Sequence, residues 1–277
     1  MSAAGSLGNV APSRLPSGRS LGAAARQYLP ALVVLTIAVV AWELSTAGPG
    51  RRVLPAPSVI AAAFAEEADL LRRAGTATFI EALGGLAVGT GLGVLVAFAT
   101  ARWATAREVL VPIAIASSAI PLIAVAPILN NWFGVLNPLS KMAMAALLVF
   151  FPVMINVTRG LVEVQPAALE LMRSYATSDW QVLFKVRVPN MLPYFFTALK
   201  IGTTLAFIGA IVAEYFGGTS DVLGRVVITS MSSGSFDVAW AGILLGAAGA
   251  ILAYLAVAVT ERLVIPWYAA MLSGGRS

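Results

Sequence analysis

The chain has 277 residues, 59% of them hydrophobic and 11% charged, against roughly 25% charged in a soluble domain. This is the composition of a polytopic membrane protein with no stretch long enough for a separate soluble domain. A net charge of +5 without a basic cluster and interleaved aromatics suits cytoplasmic loops and anionic headgroups rather than nucleic acid. The absence of Cys and His excludes disulfides, thiolate or His-ligated metals, haem and Ser-His-Asp catalysis, which leaves only Lys- or carboxylate-based enzymes. No Gly-x-x-x-x-Gly-Lys-Ser/Thr loop is present, so the chain carries no Walker-type ATP site. No cofactor or metal is expected.

Residues 1–27, rich in Ser, Gly, Ala and Pro with Arg14, Arg19 and Arg26, read as a flexible cytoplasmic tail. The first apolar run, 28–44, is longer than the core of a usual signal peptide. Trp42-Glu43 stands awkwardly before a cleavage site, so an uncleaved spanning helix is favoured over a signal peptide. An amphipathic helix is expected near 57–73, its mixed charges (Glu66, Glu67, Asp69, Arg72, Arg73) suiting an interface. A second span covers 77–100. It contains Gly85, Gly89 and Gly93, an i, i+4 strip that lets another backbone approach, more readily within the subunit than as a dimer contact.

Arg102 and Arg107 mark a short turn, and a third span, 109–129, is interrupted by Pro112, Pro121 and Pro127. Proline frees backbone carbonyls, which are tolerated in a membrane only where protein or a wet path satisfies them. Further spans are expected at 142–157, 193–215 and 238–259, with a polar loop at 217–237. The fold class is therefore all-α, with about six transmembrane helices. With the N-terminus inside, the inner segments hold eleven Lys/Arg and the outer segments six (four in 45–77, then Lys141 and Arg225), with Lys200 in a span. That bias puts both termini and residues 158–192 in the cytosol.

The segment 163–193 is a polar, helix-forming island between two apolar runs. Pro166 suits a first helical turn, giving a helix over 166–175. Ser178-Asp179-Trp180-Gln181 fits a capping box that starts a second helix over 179–186. Pro189 and Pro193 then lead back into the membrane. Two amphipathic helices in a membrane loop suggest a docking surface rather than an ordinary loop. The island resembles the EAA loop of ABC-importer permeases, which plugs into the partner ATPase. Glu170 matches that motif's Glu, Ala176 stands where its Gly usually is, and Val186, Val188 and Pro189 match its closing Ile-x-Leu-Pro pattern. Leu171 and Met172 depart from its small residues.

The resemblance covers residues 28–268, taken as the permease domain, with 163–189 as coupling loop and 269–277 as a C-terminal tail. It is closest to the subfamily for nitrate, sulfonates, taurine and thiamine-precursor pyrimidines. The segments 121–127, Trp132-Phe-Gly134, Phe150-Phe-Pro152, Ala213-Glu214-Tyr215 and Glu261-Arg262…Trp267 carry it. Such a permease implies a homodimer in the bacterial cytoplasmic (inner) membrane, two cytosolic ATPase subunits and an external substrate-binding protein. It performs no chemistry. Its ATPase-coupling residues would be Glu170, Ala176, Ser178, Trp180, Val186 and Pro189, Glu170 holding the island rigid through backbone N–H groups or Arg.

Ser117, Ser118, Asn130, Asn131, Trp132, Lys200, Glu214 and Tyr215 are the candidate pathway residues. Each is otherwise a packing or interfacial side chain. Asn pairs and aromatics suit a flat heteroaromatic ring, whereas nitrate or a sulfonate would prefer Arg, Lys or helix N-termini. With one Lys and no Arg in the expected spans, a thiamine precursor or riboflavin-like nutrient is favoured over an anion. The alternative class is an ion-gradient-driven secondary transporter coupled through Glu214 and Lys200. No inverted repeat supports it.

Overall fold

The computed structural model describes residues 21–46, 53–117 and 121–267, and every regular element among them is helical. Ser118 and the two tails, residues 1–20 and 268–277, lie outside the described residues. The chain divides into two compact units, residues 1–49 and 50–277. The first unit holds α1 (Leu21–Thr46), one helix of 26 residues that exceeds the expected span at both ends.

The second unit begins with α2 (Pro57–Glu66) and α3 (Ala68–Arg102). The single amphipathic helix expected over 57–73 is therefore two elements, broken at Glu67 (φ −106°, ψ 27°). Asp69, Arg72 and Arg73 belong to the long helix. The reason is packing: Leu71 and Ala74 are already buried, so the register of the spanning helix starts well before residue 77.

The expected third span is not one helix. It runs as α4 (Ala104–Ser117), a 3-10 turn over Leu122–Ala124, and α5 (Ala126–Phe133). Pro121 precedes the 3-10 turn and Pro127 occupies the first turn of α5, where a missing N–H is tolerated. After α5 come α6 (Pro138–Val162), α7 (Pro166–Ser174) and α8 (Asp179–Val182). A π-helical turn at Leu183–Arg187 leads into α9 (Val188–Phe216), followed by α10 (Leu223–Ser233) and α11 (Phe236–Val264). Among the described residues, α1, α3, α6, the run Asp179–Phe216 and α11 are long and apolar enough to cross a membrane.

The island's second helix does not stop before Pro189; it continues through the π turn into α9. Val188 N–H bonds to Leu183 O, five residues back. Widening the turn makes room for a proline ring that would otherwise meet the carbonyl four residues earlier.

The glycine strip of α3 packs on α6 within the same chain. A Cβ on Gly85 would lie 2.3 Å from Ala145 Cβ, one on Gly89 2.4 Å from Ala146 O, and one on Gly93 3.0 Å from Phe150 O. Both helices advance together along this seam, so they run in the same direction, and residues 104–133 carry the chain back along the bundle between them. α9 runs the other way. Its Gly209 meets Ala145, while Met191, near its start, meets Gly160. At the end of the α3–α6 seam, Thr100 and Thr158 share a buried hydrogen bond of 2.9 Å. The island lies at this end. Thr78, Lys141, Glu214 and the start of α10 lie at the other.

Candidate functional site

The island is built from two local stop-and-start signals. α7 ends in a Schellman motif, with Ala176 N–H bonded to Arg173 O (2.9 Å) and Thr177 N–H to Met172 O (3.3 Å). This geometry needs a left-handed residue, and Ala176 supplies it at φ 48°, the sole non-glycine with positive φ among the described residues. The expected capping box then starts α8. Ser178 Oγ accepts from Gln181 N–H at 3.4 Å, and Gln181 Oε1 accepts from Ser178 N–H at 3.0 Å.

The base of the island is stapled to the end of α6. Arg187 donates to Leu161 O (3.2 Å), and Asn190 donates to Gly160 O (2.7 Å) and Glu163 O (3.2 Å). These are carbonyls of the last helical turn and the residue after it, which have no partner inside the helix. A Cβ on Gly160 would lie 2.6 Å from Met191 Cα, so the backbones touch where the staple is made. Sequence reasoning missed Arg187 and Asn190. Their signal was a polar pair flanking Val188-Pro189 where the chain returns to an apolar run.

Glu170 does not hold the island together. Its side chain is exposed on α7 and makes no hydrogen bond or ion pair among the described residues, so the rigidity expected of it comes from the two turn motifs and the staple. The island's large side chains also face outward: Tyr175 is 73% exposed, Trp180 69% and Phe184 60%. Trp180 and Phe184 stack with centroids 5.7 Å apart and planes 11° from parallel. Trp180 also borders a cleft with Phe98, Arg102 and Leu183. Val186 and Pro189 line a second, open cleft of about 810 Å³ with Gln165, Asn190, Tyr194 and Trp267.

The candidate pathway residues separate into two groups. Asn131, Trp132 and Tyr215 are exposed and Ser117 is half-buried. The others are engaged inside the chain. Asn130 is buried and donates to Ala213 O at 3.3 Å. Glu214 is fully buried and accepts from Gly224 N–H at 2.7 Å. Lys200 forms an ion pair of 2.8 Å with Glu261 of α11, both side chains mostly buried.

The family described as the binding-protein-dependent transport system inner membrane component matches residues 89–266, well over half of the chain. The chain belongs to this family. The permease is also 31% identical to a probable ABC transporter permease of Haemophilus influenzae over 79% of its own length and 89% of the relative's. It is 30% identical to the riboflavin transport system permease of Chloroflexus aurantiacus, covering 86% of this chain and 89% of the relative. It is 33% identical to the formylaminopyrimidine transport permease of Halalkalibacterium halodurans, covering 66% of this chain and 72% of the relative.

The permease is thus the membrane subunit of an ABC importer. It forms a transport pathway and is not itself the ATPase. Two further charged residues escaped sequence reasoning. Lys141, counted in an outer loop, lies inside α6 and is 1% exposed; its Nζ donates to Val135 O and to Asn137 O. Glu81 is 4% exposed in α3. It continues the Gly85–Gly89–Gly93 strip one turn earlier, so the spacing that marked the helix contact also marked a carboxylate facing it.

Proposed function

We propose that the island is the surface on which the ATPase docks, and that the permease carries an uncharged heteroaromatic nutrient. The observation behind the docking reading is the contrast within the island: its base is bonded to α6, while Tyr175 and the stacked pair Trp180 and Phe184 stand exposed. An exposed aromatic cluster on a rigid support is what a partner groove recognises. Glu170 faces outward to meet a donor on that partner. Two ATPase subunits, an external binding protein and a second copy of the permease complete the importer. ATP-driven closure of the ATPases moves the island and, through the Arg187–Asn190 staple, α6 and α9. Six crossings, with residues 104–133 as the broken third, put the island and both termini in the cytosol.

The cargo reading rests on similarity to riboflavin and formylaminopyrimidine permeases and on Lys141 and Lys200, the two lysines of the candidate spans that are not exposed. Lys200 is neutralised by Glu261 and Lys141 is turned onto backbone carbonyls, so neither is offered to an anion. Asn131, Trp132 and Tyr215 remain to stack on and hydrogen-bond a ring.

Vesicles holding the permease, its ATPase and its binding protein test both readings. ATP-dependent uptake of riboflavin or a formylaminopyrimidine, with no uptake of taurine or nitrate, is expected; anion uptake alone would reject the cargo reading. For topology, an impermeant thiol reagent added outside should label Ser220→Cys and spare Ser178→Cys. The reverse pattern would invert the orientation.

A further inference from the structure

Transport as described makes no use of the buried polar cluster at the end away from the island. Thr78 and Glu81 come from α3, Lys141 from α6 and Glu214 from α9, and each is at most 4% exposed. The cluster holds the start of α10. Glu214 Oε2 accepts from Gly224 N–H at 2.7 Å and Thr78 Oγ1 accepts from Leu223 N–H at 3.0 Å. A Cβ on Gly224 would lie 2.6 Å from Ile211 O, so α10 also abuts the backbone of α9.

The donors and acceptors of this cluster do not balance. Glu81 stands one helical turn after Thr78 on the same buried face of α3, and Thr78 and Glu214 receive the adjacent N–H groups of Leu223 and Gly224, which brings the carboxyl groups of Glu81 and Glu214 into one dry cluster. Glu81 Oε2 and Glu214 Oε1 are buried with no hydrogen-bond partner. Lys141 is spent on Val135 O and Asn137 O, and it forms no ion pair with either carboxylate among the described residues. The other charged groups nearby lie outside the cluster: Arg73 pairs with Asp221 at 3.4 Å, both well exposed, and Arg225 is half-buried on α10. Ionised carboxylates only accept hydrogen bonds. Two of them in one dry cluster would repel and leave oxygens unsatisfied.

We propose that Glu81 and Glu214 share a single resident proton, forming a carboxyl–carboxylate bridge between α3 and α9. One proton supplies the missing donor. It leaves one negative charge on the pair, which the buried ammonium of Lys141 balances, so the cluster is neutral overall. The ionised character stays on the Glu214 side, where Oε2 accepts from Gly224 N–H. The bridge therefore binds α10 to the bundle through a proton held in the membrane-spanning part of the chain.

Infrared difference spectra of the assembled importer in lipid nanodiscs test this directly. Wild-type protein is expected to show the carbonyl stretch of a protonated carboxylic acid, shifted in heavy water and lost in Glu81→Gln. The Gln amide still donates to Glu214, so Glu81→Gln should melt like wild type, whereas Glu81→Ala should melt at a lower temperature. No acid band in wild type, or a band unchanged in Glu81→Gln, would overturn the proposal. So would a Glu81→Gln protein that fails to assemble or melts like Glu81→Ala, because that would mean Glu81 is needed as an ionised group.

Discussion

At one end of the bundle Tyr175, Trp180 and Phe184 lie in the open, while at the other Thr78, Glu81, Lys141 and Glu214 are shut away from solvent. Each end reverses the usual sorting of side chains. The buried end compensates all but its two unpartnered carboxyl oxygens internally: backbone carbonyls receive Lys141, and the first N–H groups of α10 are received by Thr78 and Glu214. At the island the order is inverted, with a backbone satisfied by its own turn motifs and apolar rings without cover. A closed polar cluster holds helices together, whereas an open aromatic one on a rigid base calls for a partner. Between the two lies the glycine seam, which lets α3 and α6 touch along most of their shared length.

The largest effect expected from breaking this arrangement is at the seam. In Gly89→Leu a side chain would enter a space where even a Cβ meets Ala146 O at 2.4 Å. Overpacking of this kind costs about 3 kcal/mol or more. The variant should fail to purify as a stable complex, and wild-type melting would show that α3 and α6 do not pack as described. A smaller loss is expected at Lys200. Lys200→Met leaves Glu261 mostly buried without its partner, costing about 1–3 kcal/mol. The double variant Lys200→Met/Glu261→Leu should recover most of that stability and transport normally. Failed uptake by a stable double variant would return Lys200 to the pathway. The smallest effect is at the island's turn. Ala176→Gly relieves a left-handed alanine and should raise the stability of the complex by about 1 kcal/mol; a lower melting temperature would contradict the φ of 48°.

Much of this was legible in the sequence, for reasons that are local. The capping box at Ser178–Gln181 follows from four neighbouring residues and the Gly85–Gly93 strip from helical period alone, while the turn at Ala176 was marked by the family motif. Three features were not legible because they depend on distant partners. The third span breaks at Pro121 and Pro127, although Pro193 is carried inside an unbroken α9. Local sequence alone does not separate these outcomes. Lys141 looked like a loop charge because hydropathy assigns it to the polar side of a boundary; only the carbonyls of Val135 and Asn137 draw it inward. Glu170 matches its motif yet takes no part in the internal bonding of the island, which Arg187 and Asn190 supply from beyond the motif. Family resemblance identified the segment, and packing showed which residues face in or out.

The exposed rings of the island are either a partner's contact or merely exposed surface. Retention of the ATPase on the purified permease, compared between wild type and Trp180→Ala/Phe184→Ala, tests this directly. Both rings are exposed, so the stability of the permease alone should change by no more than about 0.5 kcal/mol per site. Loss of the ATPase from a double variant that melts like wild type is the predicted result. Wild-type retention of the ATPase by that variant would contradict the docking role of the island.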